Sequence, residues 1–411
     1  MRALGLTDTI FFNLGHRYIT SIVVLEKPCD ADRVLAGLQA VADAYPPLRE
    51  RFVHVWPFFA AFPDRNFALE NHVCTLIDPS VRDIETLVPV IEKARRTITS
   101  PSHSPWRVFI LNPSPMDGQP DGDAGHPLSV VMFQFKHGLA DAARSFQVLA
   151  AMGSDSAPPA PVCARDLPRL TRREFMALAE SGSIDDGGLS VLQIGRRNLR
   201  RDQDPNGRLV HAAAGAIADP SLFSHESPLN GRIARTRLVR RRAGRRALGN
   251  HLETVAEAVA VGDEKPAQRR WRIPGLERAQ SLPIARYVVA ISPPPLARLL
   301  MRRWYSRFDA MVTMLPVPPK LSVGGAAVAG VFGVPPLSGR IPLMLVATAC
   351  GDTHNLVIIP GTCFTGERAS LHRRLHELLT RKGKAADKKA KPAGAAAPGA
   401  ARRPAQAGTT A

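Results

Sequence analysis

Hydrophobic residues along the chain follow two spacings: every second residue or a short unbroken run, and every third to fourth residue. The first spacing is typical of β-strands and the second of amphipathic helices. The predicted strands are Tyr18–Glu26, Leu48–Val55, Phe67–Ile77, Pro105–Leu111, Ser129–Phe135, Arg232–Val239, Pro283–Ser292, Ala310–Leu315, Ala326–Val334, Pro342–Cys350 and Asn355–Ile359. The predicted helices are one capped by Asp30 or Asp32 that ends at Tyr45, Ile84–Thr97, one that starts after Asp141, Arg172–Glu180, Arg240–Val261, Leu296–Trp304 and Ser370–Thr380.

This alternation of strands and helices indicates an α/β fold of layered, α+β type. A chain of 411 residues exceeds one typical core, so two folded units are expected. We predict an N-terminal subdomain over residues 1–151, a linker and crossover over 152–230, and a C-terminal subdomain over 231–380. Residues 381–411 are rich in Ala, Pro, Gly and Lys, and we expect them not to fold.

The net charge of +18 is unevenly distributed. The last 31 residues hold eight basic residues against Asp387, and further basic residues cluster in Arg196–Arg208 and Arg232–Arg246. Such segments attract nucleic acid, anionic lipid or a phosphorylated cofactor, but surplus arginine without a specific role explains them equally well.

Several classes of protein are disfavoured by what the sequence lacks. No apolar run reaches the length of a membrane-spanning helix, and the N-terminus lacks the features of a signal peptide. The five cysteines are scattered without a CxxC pair, so neither a zinc site nor a disulfide framework is predicted. His372 and His376 lie four residues apart, but no third ligand is adjacent, so we predict no metal. A cytoplasmic location is expected.

The most suggestive polar residues follow the apolar run Ser129–Phe135. A turn with His137 and Asp141 four residues apart separates this predicted strand from an Ala-rich helix. A buried strand that presents an imidazole at its end is a common way to place a general base. A polar loop with a chance HxxxD spacing is the alternative.

Six segments, in chain order, are similar to the motifs of one family. They are Leu4–Phe11 for an LSPLDAxF start, Tyr45–Phe52 for hPxLRxRF, Pro105–Arg107 for a PLWR-like segment, Lys136–Ala142 for HHxxxDG, Leu229–Arg232 for an LNG segment and Val312–Pro318 for VSNVPGP. Together they resemble the bacterial wax ester synthase/diacylglycerol acyltransferase type. This type belongs to the superfamily of condensation domains and chloramphenicol-acetyltransferase-like enzymes.

The resemblance implies two similar subdomains, each a mixed sheet with flanking helices, that form a V around a central tunnel. It implies an acyl-CoA-dependent O-acyltransferase in which His137 removes the proton of an alcohol, without a covalent acyl-enzyme. Acyl-CoA is then a co-substrate rather than a bound cofactor. The acceptor is a lipid-like alcohol, either a long-chain alcohol or diacylglycerol. Asp141 is expected to pair with an arginine, for which Arg286 is one candidate, and to hold the turn.

The chain departs from the family's motifs at several positions. Lys136 replaces the first His, Ala142 replaces the Gly, and Thr313-Met314 replace Ser-Asn, while His137 and Asp141 are retained and Gly138 lies within the motif. Lys136 either favours neutral His137 through like-charge repulsion or points to solvent. Ala142 is harmless at a helix start and harmful where the backbone needs positive φ. Loss of Ser-Asn weakens oxyanion stabilisation or acceptor positioning.

Three functions remain open from the sequence. The first is the acyltransferase, with peripheral contact at an anionic membrane. The second is a degenerate, inactive member that binds acyl ligands or partners. The third is a basic nucleic-acid-binding protein, which the 6% aromatic content and the lack of a binding motif disfavour, so no nucleic acid is expected.

Overall fold

The fold is taken from a computed structural model that describes residues 2–4, 6–14, 18–97, 100, 102–111, 128–140, 142–153, 160–180, 188–195, 205–224, 229, 231–238, 252–258, 283–315, 317, 320–335 and 341–380. The strands are β1 (Arg2–Ala3), β2 (Tyr18–Leu25), β3 (Glu50–Val55), β4 (Phe58–Pro63), β5 (Val73–Ile77), β6 (Trp106–Leu111), β7 (Ser129–Lys136), β8 (Arg169–Thr171), β9 (Ser190–Gly195), β10 (Arg232–Leu238), β11 (Leu252–Ala258), β12 (Ala310–Leu315), β13 (Ser322–Val323), β14 (Ala326–Val334), β15 (Leu343–Cys350) and β16 (Thr353–Pro360). The helices are α1 (Leu6–Asn13), α2 (Ala31–Ala44), α3 (Ile84–Arg96), α4 (Ala142–Ala151), α5 (Arg172–Ala177), α6 (Pro205–Ile217), α7 (Pro283–Ile291), α8 (Pro294–Tyr305) and α9 (Arg368–Thr380).

The first sheet has seven strands in the order β13-β14-β2-β7-β6-β5-β8. Its central strands β2 and β7 pair antiparallel, and all their residues but the last of β7 are buried, which explains their unbroken apolar runs. Helix α2 begins where the Asp30 side chain accepts hydrogen bonds from the N–H groups of Asp32 and Arg33. Helix α3 begins with a capping box between Asp83 and Thr86.

The second sheet has six strands in the order β11-β10-β12-β15-β16-β9. One face packs against α6 and α9 through apolar side chains such as Ile217 and Leu375. On the other face, Val346 and Val357 join the same hydrophobic core as the first sheet. The two sheets therefore share a core. A separate three-stranded sheet has the order β1-β4-β3.

Sheet membership does not follow chain order. Strand β14 lies among the strands of the second sheet in sequence, yet it pairs antiparallel with β2 of the first sheet. The carbonyl of Val331 on β14 also accepts hydrogen bonds from Thr348 Oγ1 and from Asn355 Nδ2, the latter at 3.1 Å. Strand β14 thus joins both sheets, and the boundaries drawn from the sequence at 151, 230 and 380 remain predictions.

Two element predictions are wrong. Residues Pro283–Ser292 were predicted as a strand, but Pro283–Ile291 form helix α7, because a short apolar run fits either structure. The predicted helix Arg240–Val261 contains strand β11, whose seven residues pair with β10; the rest of that prediction lies outside the described residues. No helix in the described part of the chain has the length and apolarity needed to cross a bilayer.

Candidate active site

His137 follows the last residue of β7, in a turn that the main chain holds at both ends. The N–H of Lys136 donates to the carbonyl of Pro105 at 2.9 Å, beside the start of β6. The N–H of Leu139 donates to the carbonyl of Lys136 at 2.8 Å, which closes the turn around His137 and Gly138. A buried central strand with a closed turn therefore fixes the backbone of His137, and the prediction of a strand that ends in this turn is confirmed.

Helix α1 covers this turn with two aromatic rings. The ring of Phe11 stacks on His137, with centroids 3.7 Å apart and planes 14° apart. The ring of Phe12 lies against Gly138, where an added Cβ would stand 2.2 Å from Phe12 Cδ2. Gly138 is therefore a glycine for reasons of space. The stacked Phe11 fixes the plane in which the imidazole presents its nitrogens.

Lys136 turns inward rather than to solvent. Its ammonium lies 4.8 Å from the centroid of the Phe12 ring, a cation–π distance. Loss of hydration by burial, with a smaller contribution from the nearby Arg298 charge, lowers the pKa of Lys136 to about 8. Of the two alternatives given for Lys136, orientation towards solvent is therefore wrong, because Phe12 of α1 and Arg298 of α8 lie near the side chain.

The second half of the chain holds α1 in place. Asn13 Nδ2 donates to the carbonyl of Ala290 at 2.9 Å. Residues Pro293 and Pro294 carry no N–H, so this carbonyl near the end of α7 has no helical donor and needs one from elsewhere. Ile10 of α1 and Leu14, directly after this helix, also pack with Ala290. The helix that contacts the His137 turn therefore lies where the two halves meet.

Comparison with known proteins agrees with this architecture at the level of fold. No family model and no curated protein matches the sequence. Among solved structures, the wax ester synthase/diacylglycerol acyltransferase from Marinobacter aquaeolei VT8 matches 92% of this chain and 98% of its own, with a TM-score of 0.56 and 15% identity. The first condensation domain of the calcium-dependent antibiotic synthetase matches 92% and 96%, with a TM-score of 0.58 and 12% identity. The starter condensation domain of rhizomide synthetase, a variant in complex with C8-CoA and Leu-SNAC, matches 92% and 93%, with a TM-score of 0.56 and 13% identity.

The chain has the condensation-domain fold. The predicted fold class, two α/β halves with mixed sheets and flanking helices, and the stated resemblance are thereby confirmed. The neighbours include acyl-transferring and condensing enzymes, which supports an acyltransferase-type fold for this chain. With sequence identities of 12–15%, these structures show the fold alone. The reaction must be inferred from the residues of the candidate site.

Within this condensation-domain fold, the Thr313-Met314 pair lies on β12 with its two side chains on opposite faces. Met314 packs at the edge of the core that α6 and α9 cover. The neighbouring residues Met311 and Leu315 belong to the core shared with the first sheet, so alternation places Thr313 on that face. Thr313 lies next to Thr236 of β10 in register. The two residues of the altered motif therefore cannot face one substrate together.

The remaining motif positions follow the turn directly. Ala142 is the first residue of α4, so its helical backbone accommodates alanine in place of glycine. Asp141 and the side chain of Arg286 lie outside the described residues, and their pairing stays a prediction. The sequence singled out His137 and Gly138 but not Phe11 or Phe12. The available signal was Phe11 at the end of the LSPLDAxF-like segment and Phe12 directly after it.

Proposed function

We propose that this protein transfers an acyl group from acyl-CoA to an alcohol, with His137 as the general base. The observation that carries the proposal is the placement of His137. Its backbone is fixed at the end of a buried strand, and its ring is held face-on by Phe11 from a helix that contacts both halves. The fold shared with acyl-transferring enzymes supports the same reaction class.

The proposed reaction needs one proton acceptor and two aligned substrates. Nδ1 of His137 is shielded from solvent, and we propose Nε2 as the nitrogen that accepts the proton of the incoming hydroxyl. As Nε2 removes the hydroxyl proton, the oxygen attacks the thioester carbonyl and forms the new C–O bond. The C–S bond then breaks, and the leaving thiolate recovers the proton from the imidazolium as CoA thiol. No covalent acyl-enzyme is needed, because both substrates are held together in one site.

The donor and acceptor are proposed from the comparisons. A structural neighbour in complex with C8-CoA supports acyl-CoA as the donor. The likeness to a wax ester synthase/diacylglycerol acyltransferase supports a long-chain alcohol or diacylglycerol as the acceptor. A tunnel between the halves would admit the two substrates from opposite ends. In this proposal Asp141 holds the shape of the turn and takes no part in proton transfer.

A thiol-release assay with acyl-CoA and a panel of alcohols tests the proposal. His137→Ala should lower kcat by roughly 10²–10⁴-fold, the usual contribution of a general base. His54→Ala is the matched control, because His54 lies exposed on β3 beside Phe59 and should leave kcat unchanged. Unchanged turnover in the His137 variant would remove that residue from the chemistry. Acyl-CoA binding without turnover of any alcohol would instead favour the inactive, ligand-binding alternative.

We also propose that the basic tail 381–411 brings this protein to anionic membranes, where lipid-like acceptors are found. Each basic residue near such a surface contributes about 1 kcal/mol, and salt weakens the attraction. Co-sedimentation with anionic vesicles should fall when the chain is truncated after Thr380. Turnover of a short, water-soluble alcohol should not change. Equal vesicle binding by both proteins would remove the tail from the proposal. A cytoplasmic location with peripheral membrane contact is the corresponding expectation.

A further inference from the structure

The structure brings together three potential metal ligands that the sequence keeps apart. Asp64 follows β4, His72 precedes β5, and His103 precedes β6. One ligand atom from each lies within 4.8 Å of the other two. Nδ1 of His103 stands 3.4 Å from Oδ2 of Asp64. In a tetrahedral zinc site with bonds of 2.0–2.1 Å, the ligand atoms lie about 3.4 Å from each other. The distance between His103 Nδ1 and Asp64 Oδ2 already equals this separation.

His72 is oriented as a metal-ligating histidine usually is. Its Nδ1 contacts the carbonyl of Trp106 at 2.9 Å, which fixes Nδ1 as the protonated nitrogen and leaves the lone pair on Nε2. Nε2 is buried and has no hydrogen-bond partner among the residues that the structure describes, and His72 as a whole is only 2% exposed. A buried acceptor without a partner is costly, and a bound cation would satisfy it.

The ring of His72 is also held against rotation. Trp106 stacks on it with centroids 4.3 Å apart, and Phe67 packs at 5.3 Å. The Asp64 carboxylate is 4% exposed, while His103 is 25% exposed. One ligand is therefore accessible from solvent, and the other two are fixed inside.

We propose that Asp64, His72 and His103 bind one divalent transition-metal ion, with water completing the coordination. Two imidazoles and one carboxylate suit zinc and its first-row neighbours better than magnesium or calcium, which prefer oxygen ligands. Closing the set requires shifts of about 1 Å in side chains to reach bonding distance. Through these ligands the ion joins the end of β4 to the starts of β5 and β6.

The ion would also support the turn that carries His137. The carbonyl of Pro105, two residues after His103, accepts the hydrogen bond from the N–H of Lys136. Trp106, whose carbonyl orients His72, pairs with Phe135 at the end of β7. The metal site and the candidate active site therefore lie at the same end of the first sheet. The role assigned to the metal is structural, and it does not depend on the proposed acyl transfer.

Titration of the full-length, chelator-treated protein with Zn²⁺ tests the inference by calorimetry. We expect one ion per chain at this site and a higher Tm with zinc, because an ion that binds only the folded state stabilises it. Asp64→Asn and His103→Gln should each weaken binding by more than about 100-fold, beyond the cost of losing an outer partner. Co²⁺ should give visible absorption bands in the wild type that both variants lose.

His54→Gln and His376→Gln are the controls. His54 lies on β3 and His376 on α9, both outside the cluster, so these variants should keep the affinity for zinc and the Co²⁺ spectrum. The His103 variant decides the test if His72→Gln fails to fold, because His103 is the more exposed ligand. No zinc binding by the folded wild type would overturn the inference. So would binding that neither Asp64→Asn nor His103→Gln weakens.

Discussion

At the scale of single residues, the contact between Gly138 and Phe12 leaves no room for a methyl group. A Cβ at Gly138 would stand 2.2 Å and 2.4 Å from two carbons of the Phe12 ring. That ring is itself enclosed, because Phe52 stacks on it at 4.8 Å and Lys136 lies over it. Gly138→Ala should therefore lower the free energy of unfolding by about 1–3 kcal/mol, the usual cost of overpacking. Equilibrium unfolding in urea measures this change in the free energy of unfolding.

The matched control is Gly330→Ala, whose added methyl would meet Phe332 at an ordinary 3.5 Å. We expect a clearly smaller loss there. Adding Phe12→Leu to Gly138→Ala should recover part of the stability, since the smaller side chain makes room. Additive losses in the double variant would mean that the two residues are not in conflict.

The pKa of Lys136 gives the folded protein a specific pH dependence. This pKa falls from 10.5 to about 8 on folding. Between these values the unfolded chain keeps a proton that the folded chain has released, so the free energy of unfolding rises with pH. The contribution is at most about 1.4 kcal/mol per pH unit.

Lys136→Met should remove this rise, and Lys27→Met, at an exposed position, should leave it intact. Chemical denaturation across the interval between the two pKa values measures the slope. An identical slope in the wild type and the Lys136 variant would show that the side chain stays hydrated.

The residues around His137 mark the limit of what the sequence could predict at this scale. His137 and Gly138 follow a strongly apolar run, so local pattern was enough to single them out. Phe11, Asn13 and Arg298 come from distant parts of the chain, and only the packing of α1 and α8 brings them to the turn. Lys136 was misplaced for the same reason, because its burial depends on residues far away in sequence.

At the scale of elements, α1 depends on one side-chain hydrogen bond to α7. Asn13→Ala removes the donor to the Ala290 carbonyl, which Pro293 and Pro294 cannot replace. We expect a loss of about 1–3 kcal/mol in the free energy of unfolding. Because Phe11 lies on the same helix, kcat in the acyl-transfer assay should also fall. Unfolding and turnover are measured on the same preparation.

Asp30→Ala separates the two effects. It removes the N-cap of α2, a helix other than α1, and should cost about 1 kcal/mol. We expect stability to fall in this control while kcat is kept. A kcat that falls equally in both variants would attribute the loss to general destabilisation rather than to α1.

The elements themselves were predictable where one spacing dominates. Strands Ala310–Leu315 and Ala326–Val334 have the predicted bounds, and Asp30 is one of the two predicted caps. Strand Phe58–Pro63 was not predicted, and Pro283–Ile291 form a helix where a strand was predicted. A short apolar run contains no period long enough to decide between strand and helix, so tertiary packing decides.

At the scale of the whole molecule, strand order could not be predicted from local pattern. The sequence predicted β14 as a strand, but not that it would leave the second half and pair with β2. The side chains on both faces of this strand are apolar, and nothing in its own residues selects the partner. Pairing over this distance is fixed by the shared core, in which Phe332 and Val346 pack together with β2.

Because β14 comes from the second half and pairs with β2 of the first sheet, we predict that the two halves unfold together. Val331 pairs with Val23 of β2 and also accepts the hydrogen bond from Asn355 Nδ2 of β16, so separating the sheets breaks β14 from one of them. Unfolding in urea should therefore show one midpoint, whether followed at Trp106 in the first sheet or at Trp304 beside Phe308 in the second half. The chain has four tryptophans, so variants that retain Trp106 or Trp304 as their only tryptophan provide the separate signals.

Asn355→Ala should shift both midpoints by the same amount, equivalent to about 1–3 kcal/mol, because the Val331 carbonyl loses a buried donor. Gln193→Ala is the matched control. It removes the 3.0 Å hydrogen bond from Gln193 to Asn355 within the second sheet, does not touch β14, and should cost less. If Asn355→Ala moves only the Trp304 transition, β14 does not couple the halves, and each sheet unfolds as a separate unit.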